Sequence, residues 1–220
     1  PVFLAFVRDH TALEIGTIML VTGVAQLVIA PIAVALEKRV SARVLTALGF
    51  SFFAIGLGMS MFQTPRTDYD QMFWPQVVRG LAIMFCLLPP TRMALGHLTD
   101  AQVPDASGVF NLMRNLGGAI GLALIDTVIY ARGPMHAADL TARLASGDAG
   151  VASFIGIPAS LLTGGAPSPA QQAMLAPLLE KASLTMAIND AWMMMAAVTA
   201  LALICIPFAR QRAVPQNAME

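Results

Sequence analysis

The chain has 220 residues, of which 57% are hydrophobic and only 12% are charged. Soluble domains carry about 25% charged residues, so this composition predicts an integral membrane protein. The formal net charge is +0, and without a basic excess nucleic acid is not expected as a partner. Cys86 and Cys205 both fall in apolar segments, where we interpret them as small core residues and not as a disulfide or metal pair.

Five apolar segments are long enough to cross a bilayer, which takes about 20 residues. They lie near residues 13–36, 44–62, 73–96, 106–131 and 184–209. Strand-like alternation is missing, which argues against a transmembrane barrel. The apolar start over residues 1–7 is too short to span, and its simplest interpretation is the tail of an earlier span in a longer protein. The sequence therefore predicts an all-α membrane protein with five complete spans plus the tail of a sixth.

Basic residues in short loops predict which side of the membrane is cytoplasmic. They follow the first span at Lys38, Arg39 and Arg43, and the last span at Arg210 and Arg212. Both places, together with the tail 213–220, are expected in the cytoplasm, so that residues 1–212 form the transmembrane unit.

This orientation places residues 133–183 outside, as one long loop with short amphipathic helix. Within it, Ser168-Pro169 has the pattern of a cap and first-turn proline for a helix over residues 170–181.

The third segment combines apolar length with charge and proline. Arg79 lies in its outer part, and Pro89-Pro90 interrupts it further on. A charge at the centre of a spanning helix costs about 3 kcal/mol. Arg79 therefore either extends towards the outer interface or faces a cavity, where it holds an acidic residue or an anionic substrate group. The two prolines remove backbone donors and predict a bend.

The fourth segment carries Arg114 next to closely spaced glycines, Gly117, Gly118 and Gly121. Such small residues allow another helix to approach closely. Two interpretations stay open for Arg114: a cytoplasmic-side gate or polar lock, and an arginine that reaches the interface from a tightly packed helix.

Two acids lie inside predicted spans. Asp126 and Asp190 could each carry a proton, because a carboxyl in a low-dielectric site has a raised pKa, or each could cap a helix or lie at the interface. Arg79 and Asp126 are expected at similar depth, roughly 8–9 Å from the outer surface at 1.5 Å per residue. We therefore hypothesise one shared polar zone, with Asp190 as the alternative acid.

No pattern of an enzyme or a metal centre emerges. His97 and Asp100 lie three residues apart in a short loop, but two ligands without a third do not make a metal site. We expect neither catalysis nor a bound metal or cofactor.

Three features resemble one known family. They are Trp74, Pro75 and Gln76 with Arg79 and Gly80; the pattern ASGVFNLMRNLGGAIG from Ala106 to Gly121; and the long loop before the last span, followed by NDAW at Asn189–Trp192. Together they resemble the C-terminal half of EmrB/QacA-type drug:proton antiporters, the fourteen-helix branch of the major facilitator superfamily. The N-terminal half of that family has no counterpart in this chain.

The resemblance implies one six-helix half of a major facilitator fold in the inner membrane, lacking its N-terminal partner half. It implies multidrug efflux by alternating access with the proton gradient as energy source. In double-membrane bacteria it also implies a periplasmic adaptor and an outer-membrane channel as partners. The rival interpretation is a non-transporting membrane scaffold or receptor-like protein, which would have no need of intramembrane Arg and Asp.

Overall fold

The structure, a computed structural model, describes residues 1–96, 98–99, 101–158 and 168–208, and this part of the chain forms helices without any strand. The helices are α1 (Val2–Phe6), α2 (Ala12–Glu37), α3 (Ala42–Met59), α4 (Tyr69–Leu95), α5 (Val103–Ala145), α6 (Ala149–Ile155) and α7 (Pro169–Cys205). All except α1 and α6 are long and apolar enough to cross a membrane. The expected all-α membrane protein with five spans is confirmed.

Four of the five long helices begin at a polar residue whose side chain caps the first turn, and in three of them the cap is reciprocal. Thr11, Asp68 and Ser168 each accept a hydrogen bond from a first-turn backbone N–H, and a Glu or Gln three residues on binds back to the cap. This reciprocal arrangement satisfies two backbone donors that a helix start leaves open. The predicted cap at Ser168 with Pro169 as the first helical residue is confirmed.

Helices α5 and α7 extend far beyond the predicted spans. The 43 residues of α5 correspond to about 64 Å at 1.5 Å per residue, whereas the apolar layer of a bilayer is about 30 Å thick. A loop over the whole of 133–183 is therefore wrong: α5 continues to Ala145, and α7 begins at Pro169. The apolar signal in the sequence ends near residue 131 and resumes near residue 184, whereas the helices continue beyond both points. The external location of this segment stays a prediction.

The extensions of α5 and α7 enclose a small apolar core together with α6. Its buried members are Leu140, Leu144, Val151, Ala152, Ile155, Leu179 and Ala182. Asp148 caps α6 by accepting a hydrogen bond from the Gly150 N–H, and its other oxygen lies 2.8 Å from an Arg143 nitrogen. These bonds hold the pKa of the Asp148 carboxyl below its usual value. The described residues beyond the spans, in α6 and in the ends of α5 and α7, thus form a packed layer.

In the spanning part, α4 packs against α2 and α3, while α7 packs against α3 and α5. Glycine makes two of these approaches possible. A Cβ on Gly56 of α3 would lie 2.6 Å from Arg79 Cγ, and one on Gly80 of α4 would lie 2.5 Å from the Thr22 carbonyl oxygen. Small residues allow such close helix packing in membranes.

Several predictions fall on residues that the structure leaves out. The proposed turn at His97 and Asp100, the tail arginines Arg210 and Arg212, and the tail 213–220 lie outside the described residues.

Candidate functional site

All five long helices contribute to one cleft. Its volume is about 540 Å³, within the roughly 300–1,000 Å³ of sites for drug-sized molecules. Its apolar walls include Met19, Phe53, Ile83, Ile125, Ile188 and Met195, and the residues Pro1–Phe3 close one side. A ligand here would be enclosed mainly by hydrocarbon.

Arg79 brings a positive charge into this cleft from α4. Its guanidinium carbon lies 4.6 Å from the ring centroid of Trp192 on α7, a distance at which a cation is attracted to the face of an aromatic ring. Its Nε–H donates to the Pro75 carbonyl oxygen at 3.3 Å, one turn back on α4. Arg79 is therefore held by an aromatic face and a backbone carbonyl, and within the described residues its terminal nitrogens donate to no other group.

The polar zone hypothesised for Arg79 and Asp126 is not formed by a direct contact between the two side chains. In the described part of the chain Arg79 forms no ion pair with any carboxylate. The Asp126 side chain is exposed on α5, whereas its neighbours Ile125 and Ile129 line the cleft. The two residues were expected at one depth, but depth does not fix the helix face on which each side chain lies.

Asp190 also has other partners than Arg79. Arg132 Nε donates to its carboxylate at 2.7 Å, and His136 Nε2 lies 2.8 Å from the same oxygen. Because α7 begins at Pro169, Asp190 lies deep within the helix, and the capping interpretation is wrong. Asp190 instead ties α7 to α5. Asp126, in the interior of α5, does not cap a helix either.

A second Asp–Arg–His group connects the segment after α1 to the start of α4. Asp68 accepts a hydrogen bond from Arg8 at 2.6 Å, and its other oxygen lies 3.0 Å from His10 Nε2. Burial alone would raise the pKa of Asp68, but the hydrogen bonds from Arg8, the Tyr69 N–H and His10 lower it below its usual value. Asp68 is thus a carboxylate that fastens α1 to α4.

The predicted glycine contact on α5 is not made within the described residues. A Cβ on Gly117, Gly118 or Gly121 would meet no atom within 4 Å, and Arg114 is exposed beside them. The glycines that a neighbouring helix approaches closely lie elsewhere, at Gly49, Gly56 and Gly80. Neither of the two interpretations of Arg114 is decided by these contacts.

Pro89 and Pro90 both lie within α4, which continues through them to Leu95. Pro89 is buried, and Pro90 is partly exposed. The predicted bend and its use in gating stay predictions. In the part of the chain that the structure describes, no three His, Cys, Asp or Glu side chains meet in a way that could hold a metal ion.

Sequence reasoning named Trp192 only as part of the NDAW motif, and it did not predict a role in the site for Trp192, Arg132 or His136. Arg132 and His136 are four residues apart, which places them on one helix face. They would have been recognised as partners for a carboxylate if the helix had been extended beyond residue 131. For Trp192 no signal in the sequence links it to Arg79, because the contact depends on the rotation of two separate helices.

A pair of hydrogen bonds between the Gln63 backbone and the Asn189 side chain, beside the cleft, was not predicted either. The Gln63 N–H donates to Asn189 Oδ1 at 3.2 Å, and Asn189 Nδ2 donates to the Gln63 carbonyl oxygen at 2.7 Å. These two bonds join the end of the α3 segment to α7. Asn189 lies three residues before Trp192 on α7, so the two bonds help to fix the position of this wall of the cleft.

Comparison with known proteins finds several relatives. The chain is 39% identical over 136 residues to the colistin resistance protein EmrB of Acinetobacter baumannii, which covers 62% of this chain and 27% of that protein. It is 28% identical over 142 residues to the multidrug export proteins EmrB of Escherichia coli K12 and of Haemophilus influenzae, with 64% of this chain and 28% of each relative covered. No protein-family model matches the sequence.

The chain thus spans little more than a quarter of the length of these curated relatives. The resemblance seen in the motifs and the match to these relatives agree, and the five apolar helices suit a multi-pass membrane protein. Over about 60% of its length the chain is thus similar to EmrB-type multidrug transporters of the major facilitator superfamily.

Proposed function

We propose that this chain forms part of a secondary active exporter that moves apolar or amphiphilic compounds by alternating access, driven by the proton gradient. The observation that carries the proposal is the apolar cleft of about 540 Å³ lined by all five long helices. Transporter sites of this type lie between helices near the middle of the membrane. The names of the relatives, which denote multidrug export and colistin resistance, support export as the direction of transport.

The exposed face of α5 supports a further part of the proposal. Arg114 and Asp126 are both exposed along this helix, and charged side chains facing lipid are costly. We infer that the rest of a longer transporter, the partner half of the fold, covers this face. The 136 matched residues are only 27% of the Acinetobacter relative, so the rest of a protein of that length leaves ample chain for such a half.

Location and partners follow from the same proposal. An exporter driven by protons would lie in the inner membrane, with the turn after α2 and the C-terminus in the cytoplasm. The layer built from α6 and the ends of α5 and α7 would then face outwards, where a periplasmic adaptor could dock. Such a protein would be a transporter and not an enzyme.

Transport and coupling can be tested together in proteoliposomes. The protein, in its complete transporter context, is reconstituted with a pH-sensitive dye inside, and an apolar fluorescent substrate is added. We expect substrate movement to be accompanied by proton movement in the opposite direction, abolished by an ionophore that collapses the gradient. Substrate movement without proton movement would refute the coupling, and no movement of any substrate would favour a scaffold or receptor.

A further inference from the structure

We propose that a polar chamber beside the apolar cleft brings water to Arg79 from the protein surface at the start of α4. The chamber lies between the end of α3 and the first turns of α4, and its volume is about 370 Å³. A water molecule takes about 30 Å³ in the liquid, so several fit. The inference goes beyond the proposed export, because a hydrated chamber needs no transported substrate.

The chamber differs from the cleft in the chemistry of its walls. Besides Arg79, its hydroxyl, amide and guanidinium groups belong to Ser60, Gln63, Thr64, Arg66, Thr67 and Gln71. The walls of the cleft are mostly hydrocarbon. Roomy polar cavities hold ordered water, whereas apolar cavities stay dry. Water is therefore expected in the chamber and not throughout the cleft.

The chamber runs from the surface to the charge. Thr64, Arg66 and Gln71 are exposed at its mouth. Arg79 follows Gln71 by eight residues on the same helix, which is about 12 Å at 1.5 Å per residue. Arg79 also lines the cleft, as do Gln63 and Met72. The guanidinium thus lies where the polar chamber meets the apolar cleft.

Arg79 needs a hydrogen-bond acceptor that the described residues do not supply. A charge inside a membrane is costly unless a partner of opposite sign or water compensates it. Trp192 covers one face of the guanidinium and Pro75 takes the Nε–H, which leaves the terminal nitrogens. No acidic side chain appears among the described residues that line the chamber. Water entering from the mouth can accept from these nitrogens.

Gln63 distinguishes water from a small anion as the occupant. Its side chain is 6% exposed, and its Oε1 is buried without a hydrogen-bond donor among the described residues. An unsatisfied buried polar atom of this kind often marks an ordered water. An anion can accept from Arg79 but cannot donate to Gln63, whereas water does both.

The test is hydroxyl-radical labelling, in which an X-ray pulse splits bound water and the radicals oxidise methionines beside it. The complete transporter is irradiated in lipid nanodiscs, and the oxidation rate of each methionine is measured by mass spectrometry. Met72 lines the chamber and is only 6% exposed. We expect it to be oxidised several-fold faster than Met186, which is less buried but packs against the apolar core around α6.

Two further methionines report on the cleft. Met19 and Met195 line the cleft but not the chamber, and both are less buried than Met72. If water enters through the chamber, they should be oxidised more slowly than Met72. Oxidation of all three at one rate would show that water fills the cleft itself and would refute the separate passage.

A substitution at the mouth tests the route. Thr64→Trp places a bulky ring at an exposed position of the chamber wall, and should lower the oxidation rate of Met72 several-fold. An unchanged rate at Met186 reports that the protein is folded. The matched control is Thr141→Trp, at an exposed position of α5 that does not line the chamber, where Met72 should be oxidised as in the wild type.

Each outcome decides the inference without reference to transport. If Met72 is oxidised no faster than Met186, the chamber is dry and the inference is refuted. If Met72 reacts fast but Thr64→Trp leaves its rate unchanged, water reaches Arg79 by another route, which also refutes it. An exporter that proves not to couple to protons, or not to transport, would leave these labelling rates as they are.

Discussion

Arg79 depends for its position on Gly56, a residue without a side chain. The stem of Arg79 passes so close to α3 that a Cβ on Gly56 would lie 2.6 Å from Arg79 Cγ and 3.2 Å from Arg79 N. The Arg79 backbone and stem would both have to move. The charge in the cleft is therefore positioned by the packing of α3 against α4 as well as by Trp192.

Gly56→Ala should displace Arg79 and cost about 1–3 kcal/mol of stability, the usual range for overpacking a tight contact. We expect a lower thermal unfolding midpoint and slower transport of an apolar substrate. The matched control is Gly58→Ala on the same helix, where an added Cβ meets no atom within 4 Å. Equal effects of the two substitutions would show that Gly56 does not position Arg79.

The link between Arg8 and Asp68 predicts a dependence of stability on pH. Because the pKa of Asp68 in the folded protein is lowered from 3.8, the carboxylate stabilises the fold above that value. The stabilisation is lost as the pH falls through the lowered pKa. The unfolding midpoint of the wild type should therefore drop on acidification below about pH 3.8 more than that of Asp68→Asn.

Asp70→Asn is the control for this comparison. Asp70 is exposed two residues further on and forms no hydrogen bond or ion pair in the described part of the chain. The unfolding midpoint of Asp70→Asn should fall on acidification by as much as that of the wild type. If the unfolding midpoint of Asp68→Asn falls on acidification as much as that of the wild type, the Arg8–Asp68 ion pair does not contribute to the pH dependence of stability.

At the scale of the helices, Asp190 joins α7 to α5 through Arg132 and His136. We expect Asp190→Asn and Arg132→Gln to destabilise the protein by less in combination than the sum of the single effects, with a coupling of about 1 kcal/mol. Denaturant unfolding of the four proteins measures it. The control is the more exposed pair Arg143 and Asp139, 3.6 Å apart, which should show a smaller coupling energy. Additive effects of the substitutions at Asp190 and Arg132 would contradict a direct link between these two residues.

The two prolines of α4 give a prediction about movement. If Pro89 and Pro90 bend the helix during gating, replacing both with Ala should lower the transport rate more than the amount of protein in the membrane. Pro31→Ala is the matched control, since Pro31 also lies within a spanning helix but is exposed. Unchanged transport after the double replacement would leave the prolines a packing role only.

At the scale of the whole molecule, the number of spanning helices could be predicted from apolar length alone. The ends of α5 and α7 could not, because their continuation past residue 131 and before residue 184 depends on packing against α6 and not on hydropathy. Arg79 could be singled out by its charge in an apolar segment. Its contact with Trp192 could not, since helix rotation decides it and five membrane helices leave many rotations open.

The orientation of the molecule gives a further prediction. The basic turn after α2 should be cytoplasmic and the layer around α6 external. Single cysteines placed at Ser41 and at Ala149, both exposed positions, can be labelled from outside with a membrane-impermeant reagent. Only Ala149→Cys should react in intact cells. Labelling of Ser41→Cys but not of Ala149→Cys would overturn the topology.

The central claim is that the cleft between the five helices is the path of the substrate. Its most direct test is the rate of gradient-driven uptake of an apolar dye into inside-out vesicles after part of the cleft is filled. Met19→Trp on α2 fills the cleft, whereas Leu27→Trp on the same helix adds the ring to a side chain that is 76% exposed. At equal protein levels, uptake should be lost in Met19→Trp and retained in the wild type and in Leu27→Trp; equal uptake in all three would contradict the account.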